Sequence, residues 1–474
     1  MVDISLIQSW VKECQDNHNH LTQQDESQAQ LRSTRQFRVY DVFQSRLIEP
    51  TECVEYIALS YVWGNTLRQR QLEEPDSWWS DLFDDDEHTQ WEEQGRHVRF
   101  DKLPRAVQDA SLLLQRLGYR YLWVDLLCVC QDDSLKKGLL IKHMHVVYEA
   151  ASFTIVAAGG EDADSPLHGL HEGTRSSERT WTIPTVGGDF NLTLARPDLK
   201  EIISNTHWRT RGWTFQEEIL SSRCLYFTQD EVFYWCSHHS ERVENFPLVQ
   251  NGRFSEWREG YMLETRNTRT TYQSLSPWNK GWLIPSSPAL RRDNRVIQQS
   301  ESEMTATDHT GVEGPWPPIY LNSRSRDPGV FHDYASSVCE YTQRNLTEAG
   351  DIINAFMGIL GKFGAKVPLS ADVRFHGLLN YEDLSNGELY SDSLEKGLLW
   401  IPSRGNALRR RRIEPDPTRK APLQFPSWAW SGWVGMVDYP VQDLSDPSIR
   451  RHRLRSNLTF SPGKRPSLNT GQTD

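Results

Sequence analysis

Residues Phe100–Val129 read FDKLPRAVQDASLLLQRLGYRYLWVDLLCV. Leu103, Val107, Ala110, Leu114 and Leu117 recur at the spacing of one helical face. Asp101 offers a cap, Pro104 occupies the first turn, and Gly118 supplies the stop. After that stop, Tyr121–Val129 is an apolar run broken by a single carboxylate, Asp125, and reads as a buried strand. Downstream, Lys136–Ala151 repeats the helical spacing through Leu140, Met144, Val147 and Tyr148. Phe153–Ala158, FTIVAA, is a further strand closed by Gly159 and Gly160. Upstream, Glu55–Gly64, EYIALSYVWG, is rich in β-formers and ends in a tight turn. Strand, helix, strand, helix, strand specifies an α/β fold, a parallel sheet flanked by helices. Ligands of such sheets sit at the carboxyl ends of the strands. Here those ends are Ser60–Gly64, Asp125–Gln131 and Ala158–Asp164, a polar crescent.

The periphery is read more coarsely. Residues 1–50 form a polar lead-in, with an edge strand over Arg35–Phe43. Residues 51–240 form the α/β domain with insertions. Within it, 65–97 is an acidic, solvent-facing insertion containing Asp84–Glu87. Residues 171–200 are a β-rich insertion turning at Gly187 and Gly188. Cys224–Cys236, CLYFTQDEVFYWC, is a hairpin turning at Gln229-Asp230. Residues 241–325 are loop-rich, with many Ser, Arg, Asn and Pro. Residues 326–455 form a Trp-rich α+β region that packs back on the first, with helical spacing over Phe331–Tyr341 and Asp351–Phe363. Residues 456–474 are a disordered tail.

The composition excludes several classes. Hydrophobic residues make up 37% of the 474 residues, enough for a packed core rather than a disordered chain. A net charge of -12 argues against non-specific nucleic-acid binding. The basic run Arg409–Arg412 reads as an exposed loop. No leader peptide or membrane-length apolar stretch is visible, so a cytoplasmic location is expected. The seven Cys are scattered, as befits buried thiols of a reducing compartment. Cys128 and Cys130, the one tight pair, sit in an apolar run and read as buried free thiols rather than a shared metal site. His238 and His239 beside Cys236 are cramped and complete no four-ligand set, and there is no HExxH. Neither a metal nor a cofactor is expected. His143, His145 and His207 belong to no nucleophile motif.

Four segments, in order, resemble the fungal heterokaryon-incompatibility (HET) family. They are SYVWG at Ser60–Gly64; LWVDLLCVCQDD at Leu122–Asp133, with MHVVYEAASFTIVAAGG from Met144; RTRGWTFQEEILSSRCLYFT at Arg209–Thr228, with YWC at Tyr234–Cys236; and RNLTEAGDIINAFMGIL at Arg344–Leu360, with PSWAWSGWVG at Pro426–Gly435. The first three cover the family's named domain, about residues 55–220. The chain departs from the pattern at Leu126-Leu127, where a polar residue is usual, and at Cys130. The resemblance implies a TIR/flavodoxin-like core and a role in self/non-self recognition or programmed cell death. It also implies a protein partner or self-association. No Walker-type loop and no repeat accompanies it.

Several residues can carry chemistry. Asp125, in an apolar run, is either a carboxylate aimed into the crescent or a structural acceptor of backbone N–H groups. Glu217, in the family's Gln216-Glu217 motif, can act as a base or stabilise a cationic ribosyl carbon; otherwise it pairs with Arg211 or Arg223. Glu218 lies about 100° further round the helix, so one of the two can face a cleft and the other solvent. Ser60, Trp63 and Gly64 form a ligand-facing turn, with Trp63 able to stack on a flat ring. Gln131 and Asp132 can bind a ribose or sugar, or cap the next helix. Arg211 and Arg223 can hold phosphate or carboxylate. In the run Phe425, Trp428, Trp430 and Trp433, the strand spacing puts Trp428 and Trp430 on one face as core. Two functional readings follow: a signalling and interaction protein, or an enzyme using the crescent. The enzyme would act as an NAD glycohydrolase or as an acid/base catalyst on a small biosynthetic metabolite.

Overall fold

The fold was analysed in a computed structural model, which describes residues 1–18, 27, 31, 37–74, 78–84, 95–131, 134–175, 180–185, 188–193, 199–237, 241–243, 330–366, 376–378, 397–403, 405–413 and 425–439. Asp85–Glu87, Asp132, His238, His239, nearly all of the loop-rich 241–325 segment and the 456–474 tail lie outside the described residues.

Four strands carry the centre. They are β3 (Tyr56–Ser60), β5 (Tyr121–Trp123), β6 (Thr154–Val156) and β9 (Arg223–Phe227). They pair in parallel, in the spatial order β5-β3-β6-β9. Antiparallel strands complete a nine-stranded mixed sheet. β10 (Val232–Cys236) and β11 (Glu241–Val243) extend one side. β1 (Val39–Asp41), β2 (Arg46–Ile48) and β4 (Arg96–His97) extend the other. All five residues of β3 are buried, as are those of β9. This matches unbroken apolar runs covered on both faces.

The expected connections form. Helix α3 (Arg105–Leu117) buries Val107, Ala110, Leu114 and Leu117 and ends at Gly118, whose φ is +87°. A left-handed residue of that kind is cheap only as glycine. Helix α5 (Ser134–Ala150) buries Leu140, Met144, Val147 and Tyr148. The 224–236 hairpin is β9 and β10, with Phe227 opposite Val232. The 171–200 insertion contains a separate hairpin of β7 (Thr180–Thr185) and β8 (Gly188–Thr193).

Five expectations are corrected. The run Tyr121–Val129 is not one strand, since β5 stops at Trp123 and Asp125–Cys128 is a single helical turn, α4. Leu126 and Leu127, the departures from the family pattern, are fully buried there. Second, Asp101 caps nothing; it lies in a 3₁₀ turn, and Pro104 itself precedes α3. Third, β1 is no edge strand, because β2 and β5 flank it. Fourth, the described part of the 65–97 segment is not wholly solvent-facing. Beyond α2 (Gly64–Glu73), Trp78, Trp79, Leu82 and Phe83 are buried, and Trp79 Nε1 donates to the Leu126 carbonyl at 2.7 Å. Burial of these large side chains outweighs the polarity of the residues around them. Fifth, Trp428 and Trp430 do not share a face. Trp430 starts a 3₁₀ turn and is fully buried, whereas Trp428 is exposed.

Short helix α6 (Leu199–Ser204) and helix α7 (Gly212–Leu220) lead into β9. The C-terminal α+β region carries helices α8 (Val330–Thr342) and α9 (Met357–Lys366). Its buried residues Tyr334, Tyr341, Phe356, Ile359, Phe363 and Trp430 form one cluster with Phe215 and Leu220 of α7. The backbones meet too: Gly212 N–H donates to the Asn345 carbonyl at 2.7 Å. A Cβ at Gly212 would stand 2.6 Å from Leu346, so glycine permits this approach. Among the described residues, no helix is long and apolar enough to cross a membrane.

Candidate functional site

Parallel strands all end on the same side, and the residues leaving those ends converge. Ser60 is the last residue of β3, with Tyr61, Trp63 and Gly64 following directly. Asp125 opens the helical turn after β5. Arg211 precedes α7, and Glu217 lies within it. Gly64 adopts φ +71°, and a Cβ there would lie 2.3 Å from Asp162 Cβ. The corner therefore demands glycine for both conformation and space.

At the floor, the Ser60 hydroxyl donates to Glu217 Oε2 and accepts from Trp208 Nε1 at 2.8 Å. Ser60, Trp208 and Glu217 are all buried. The Tyr148 hydroxyl donates to the Leu59 carbonyl at 3.3 Å and also faces Glu217. Nearer solvent, Trp63 Nε1 donates to Asp125 Oδ2 at 2.7 Å, and the Leu126 N–H donates to Asp125 Oδ1 at 2.7 Å. Trp63, Asp125 and Arg211 each keep part of their surface in solvent. Arg211 donates to the Tyr61 carbonyl at 3.0 Å. The Tyr61 hydroxyl is buried beside Asp125 without a hydrogen bond of good geometry.

The electrostatics follow from this packing. Burial pushes the Glu217 carboxyl up to about 7, and neighbouring Asp125 adds to the rise; the Ser60 hydroxyl and Arg211 oppose it. Burial also raises Asp125, but Arg211, Trp63 and the Leu126 N–H counter it. Asp125 thus has several donors holding its ionised form, while Glu217 has fewer and sits deeper. Burial raises both carboxyls, and Asp125 has the more donors opposing the rise.

The expected salt-bridge role of Glu217 passes to its neighbour. Glu218 does not face solvent. It is buried between Arg209 and Arg344, each at 3.4 Å, and accepts from the Tyr226 hydroxyl at 3.2 Å. Glu340 of α8 joins both arginines, so this four-residue network ties α7 to α8. The 100° step between Glu217 and Glu218 separates two buried environments rather than cleft from water.

The structure brings together Ser60, Trp63, Gly64, Asp125, Arg211 and Glu217. Gln131 touches the group through its amide, which donates to the Asp125 carbonyl at 3.3 Å, while its own buried Oε1 has no partner among the described residues. Gln216 is buried in α7. Arg223 does not belong. It begins β9, at the opposite end of the strands, and donates to the Ser152 carbonyl at 2.7 Å. Trp63 meets Trp78 edge-on, with centroids 6.0 Å apart. Sequence reasoning missed Tyr61, Tyr148 and Trp208. Tyr61 lies inside the SYVWG motif and was within reach; the other two are marked only by tertiary contact.

Residues 56–217 match a family model described as Heterokaryon incompatibility protein (HET). The matched segment starts at the first residue of β3 and ends on Glu217, so it contains Ser60, Trp63, Asp125, Arg211 and Glu217. It spans about a third of the chain. Searches of curated proteins and of solved structures returned no match. The HET segment therefore supplies five converging side chains, and β9 and the C-terminal region lie beyond the match.

Proposed function

We propose that this chain is a HET-type protein of fungal self/non-self or cell-death signalling, and that it signals through chemistry at the Asp125–Glu217 site. The observation that carries the reading is Glu217: buried, hydrogen-bonded to Ser60 and, among the described residues, in no ion pair, although Arg211 stands nearby. A carboxyl held near neutrality can both give and take a proton at working pH. Asp125, partly exposed and better supplied with donors, is the member placed to face developing positive charge. Arg211 and Trp63 at the rim suit an anionic group and a flat ring.

The parallel order β5-β3-β6-β9 reverses direction at β3, and ligands of open α/β sheets settle outside such a switch point. That order supports a TIR/flavodoxin-like core, and with it cleavage of the nicotinamide–ribose bond of NAD as the first reaction to test. Acid/base conversion of a small metabolite is the second. A purely interacting protein, engaging partners or copies of itself, is the competing reading. The exposed apolar residues Leu399, Ile401 and Trp428 of the C-terminal region favour it.

The test is incubation of the purified full chain with NAD and, separately, with fungal metabolite extract, read by mass spectrometry beside Asp125→Asn and Glu217→Gln. Turnover that either substitution abolishes, with circular dichroism unchanged, is the expected result. No turnover at high protein concentration would refute the enzymatic mechanism and leave partner engagement as the means of signalling.

A further inference from the structure

At the other end of the sheet, three metal-ligating side chains meet. Cys14 lies in the last turn of helix α1 (Ile4–Asn17), and His18 follows that helix as its C-cap. Four residues apart, the two project from one face. Cys236 is the last residue of β10, opposite Arg223 in the antiparallel pair. His18 Nδ1 stands 3.2 Å from Cys236 Sγ, and all three ligand atoms lie within 4.8 Å of one another. Both thiols are buried, whereas the imidazole is partly open to solvent.

We propose that Cys14, His18 and Cys236, the three ligands the described residues supply, bind a zinc-type divalent ion. Two sulfurs and one imidazole nitrogen are the donor set that selects zinc over calcium or magnesium. Tetrahedral bonds of ~2.3 Å to sulfur and ~2.0 Å to nitrogen put neighbouring ligand atoms about 3.5–3.8 Å apart. The observed spacing needs side-chain adjustments of only a few tenths of an ångström at the Cys236–His18 pair. Two thiolates would neutralise the ion, and Arg223 in the neighbouring strand suits an electron-rich sulfur pair. The ion would clamp α1 onto β10, where Trp10 already stacks on Tyr234 with centroids 6.5 Å apart. His18 and Cys236 are 218 residues apart, so no spacing motif announces the set. The expectation of no metal rested on such motifs. This inference is independent of the Asp125–Glu217 reading, because the two clusters occupy opposite ends of the strands.

The experiment uses the full chain purified under reducing, chelator-free conditions. Expected are about one zinc per chain by elemental mass spectrometry and, on loading the stripped protein with Co(II) alone, thiolate-to-cobalt charge transfer with tetrahedral visible bands. Cys14→Ser, Cys236→Ser and His18→Gln should each weaken Co(II) binding at least ~10-fold. Cys53→Ser, at an exposed thiol, should leave it unchanged. His18→Gln guards against misfolding, since His18 is partly exposed and its loss is checked by circular dichroism. Substoichiometric zinc with no charge-transfer band, cobalt spectra indifferent to His18→Gln, or a Cys14–Cys236 disulfide in the reduced preparation would each overturn the proposal.

Discussion

Replacing Glu217 by Gln tests whether burial truly withholds charge from the site. The amide still accepts from Ser60 but cannot ionise. In the native protein the Glu217 carboxyl is raised from 4.5 to about 7. A carboxyl with a raised native value favours folding fully below 4.5, and that contribution is lost as pH climbs through about 7. At ~1.4 kcal/mol per pH unit, the loss is roughly 3 kcal/mol, nearly complete at neutrality and flat above it. The assay is urea unfolding of wild type and Glu217→Gln across this range, analysed as the difference between the two proteins. Asp125 is common to both, so the difference isolates Glu217 and its repulsion of Asp125. Glu217→Gln should gain on wild type as pH rises from about 4.5 to 7, then run parallel to it. A difference independent of pH would mean that Glu217 is ordinarily hydrated, and the argument for an acid/base site would fail with it.

Other perturbations probe the supports. Ser60→Ala strips an acceptor from buried Trp208 Nε1 and a donor from Glu217; we expect a loss of about 1–3 kcal/mol in urea unfolding and the Glu217 transition displaced to higher pH. An unchanged pH profile would show that the serine does not tune the carboxyl. Glu218→Ala removes the anion between buried Arg344 and Arg209. It should cost about 3–5 kcal/mol and speed amide exchange in α8, and a loss confined to α7 would contradict the network's role in joining the two.

The resemblance to HET proteins and the local patterns made much of the α/β core legible. Helix α3 is strongly amphipathic over more than three turns, and α5 buries Leu140, Met144, Val147 and Tyr148 at helical spacing, so both could be read from periodicity. Gly118 and Gly64 mark positions where backbone conformation leaves little choice. The β9–β10 hairpin was legible because its turn is flanked by β-formers on both sides. Where local signals were ambiguous, packing decided. Tyr121–Val129 is apolar but for Asp125, which serves a buried strand or a buried helical turn equally well, and only the tertiary structure shows that the strand stops before Asp125.

The site divides the same way. The sequence by itself marked Ser60, Trp63, Asp125 and Glu217 as polar or aromatic groups at strand ends and in a family motif, because parallel strands deliver their ends to one side. It could not assign partners. Glu217 and Glu218 are adjacent and chemically alike, yet one meets a serine and the other two arginines, a choice set by the rotation of α7 and by α8 arriving from more than a hundred residues away. Arg223 looked as suitable as Arg211 until β9 placed it at the far end of the sheet. Cys14, His18 and Cys236 are joined only because α1 folds across the end of β10. Local chemistry is written residue by residue; which charge is paired, buried or left beside a neighbour depends on contacts between elements distant in the chain.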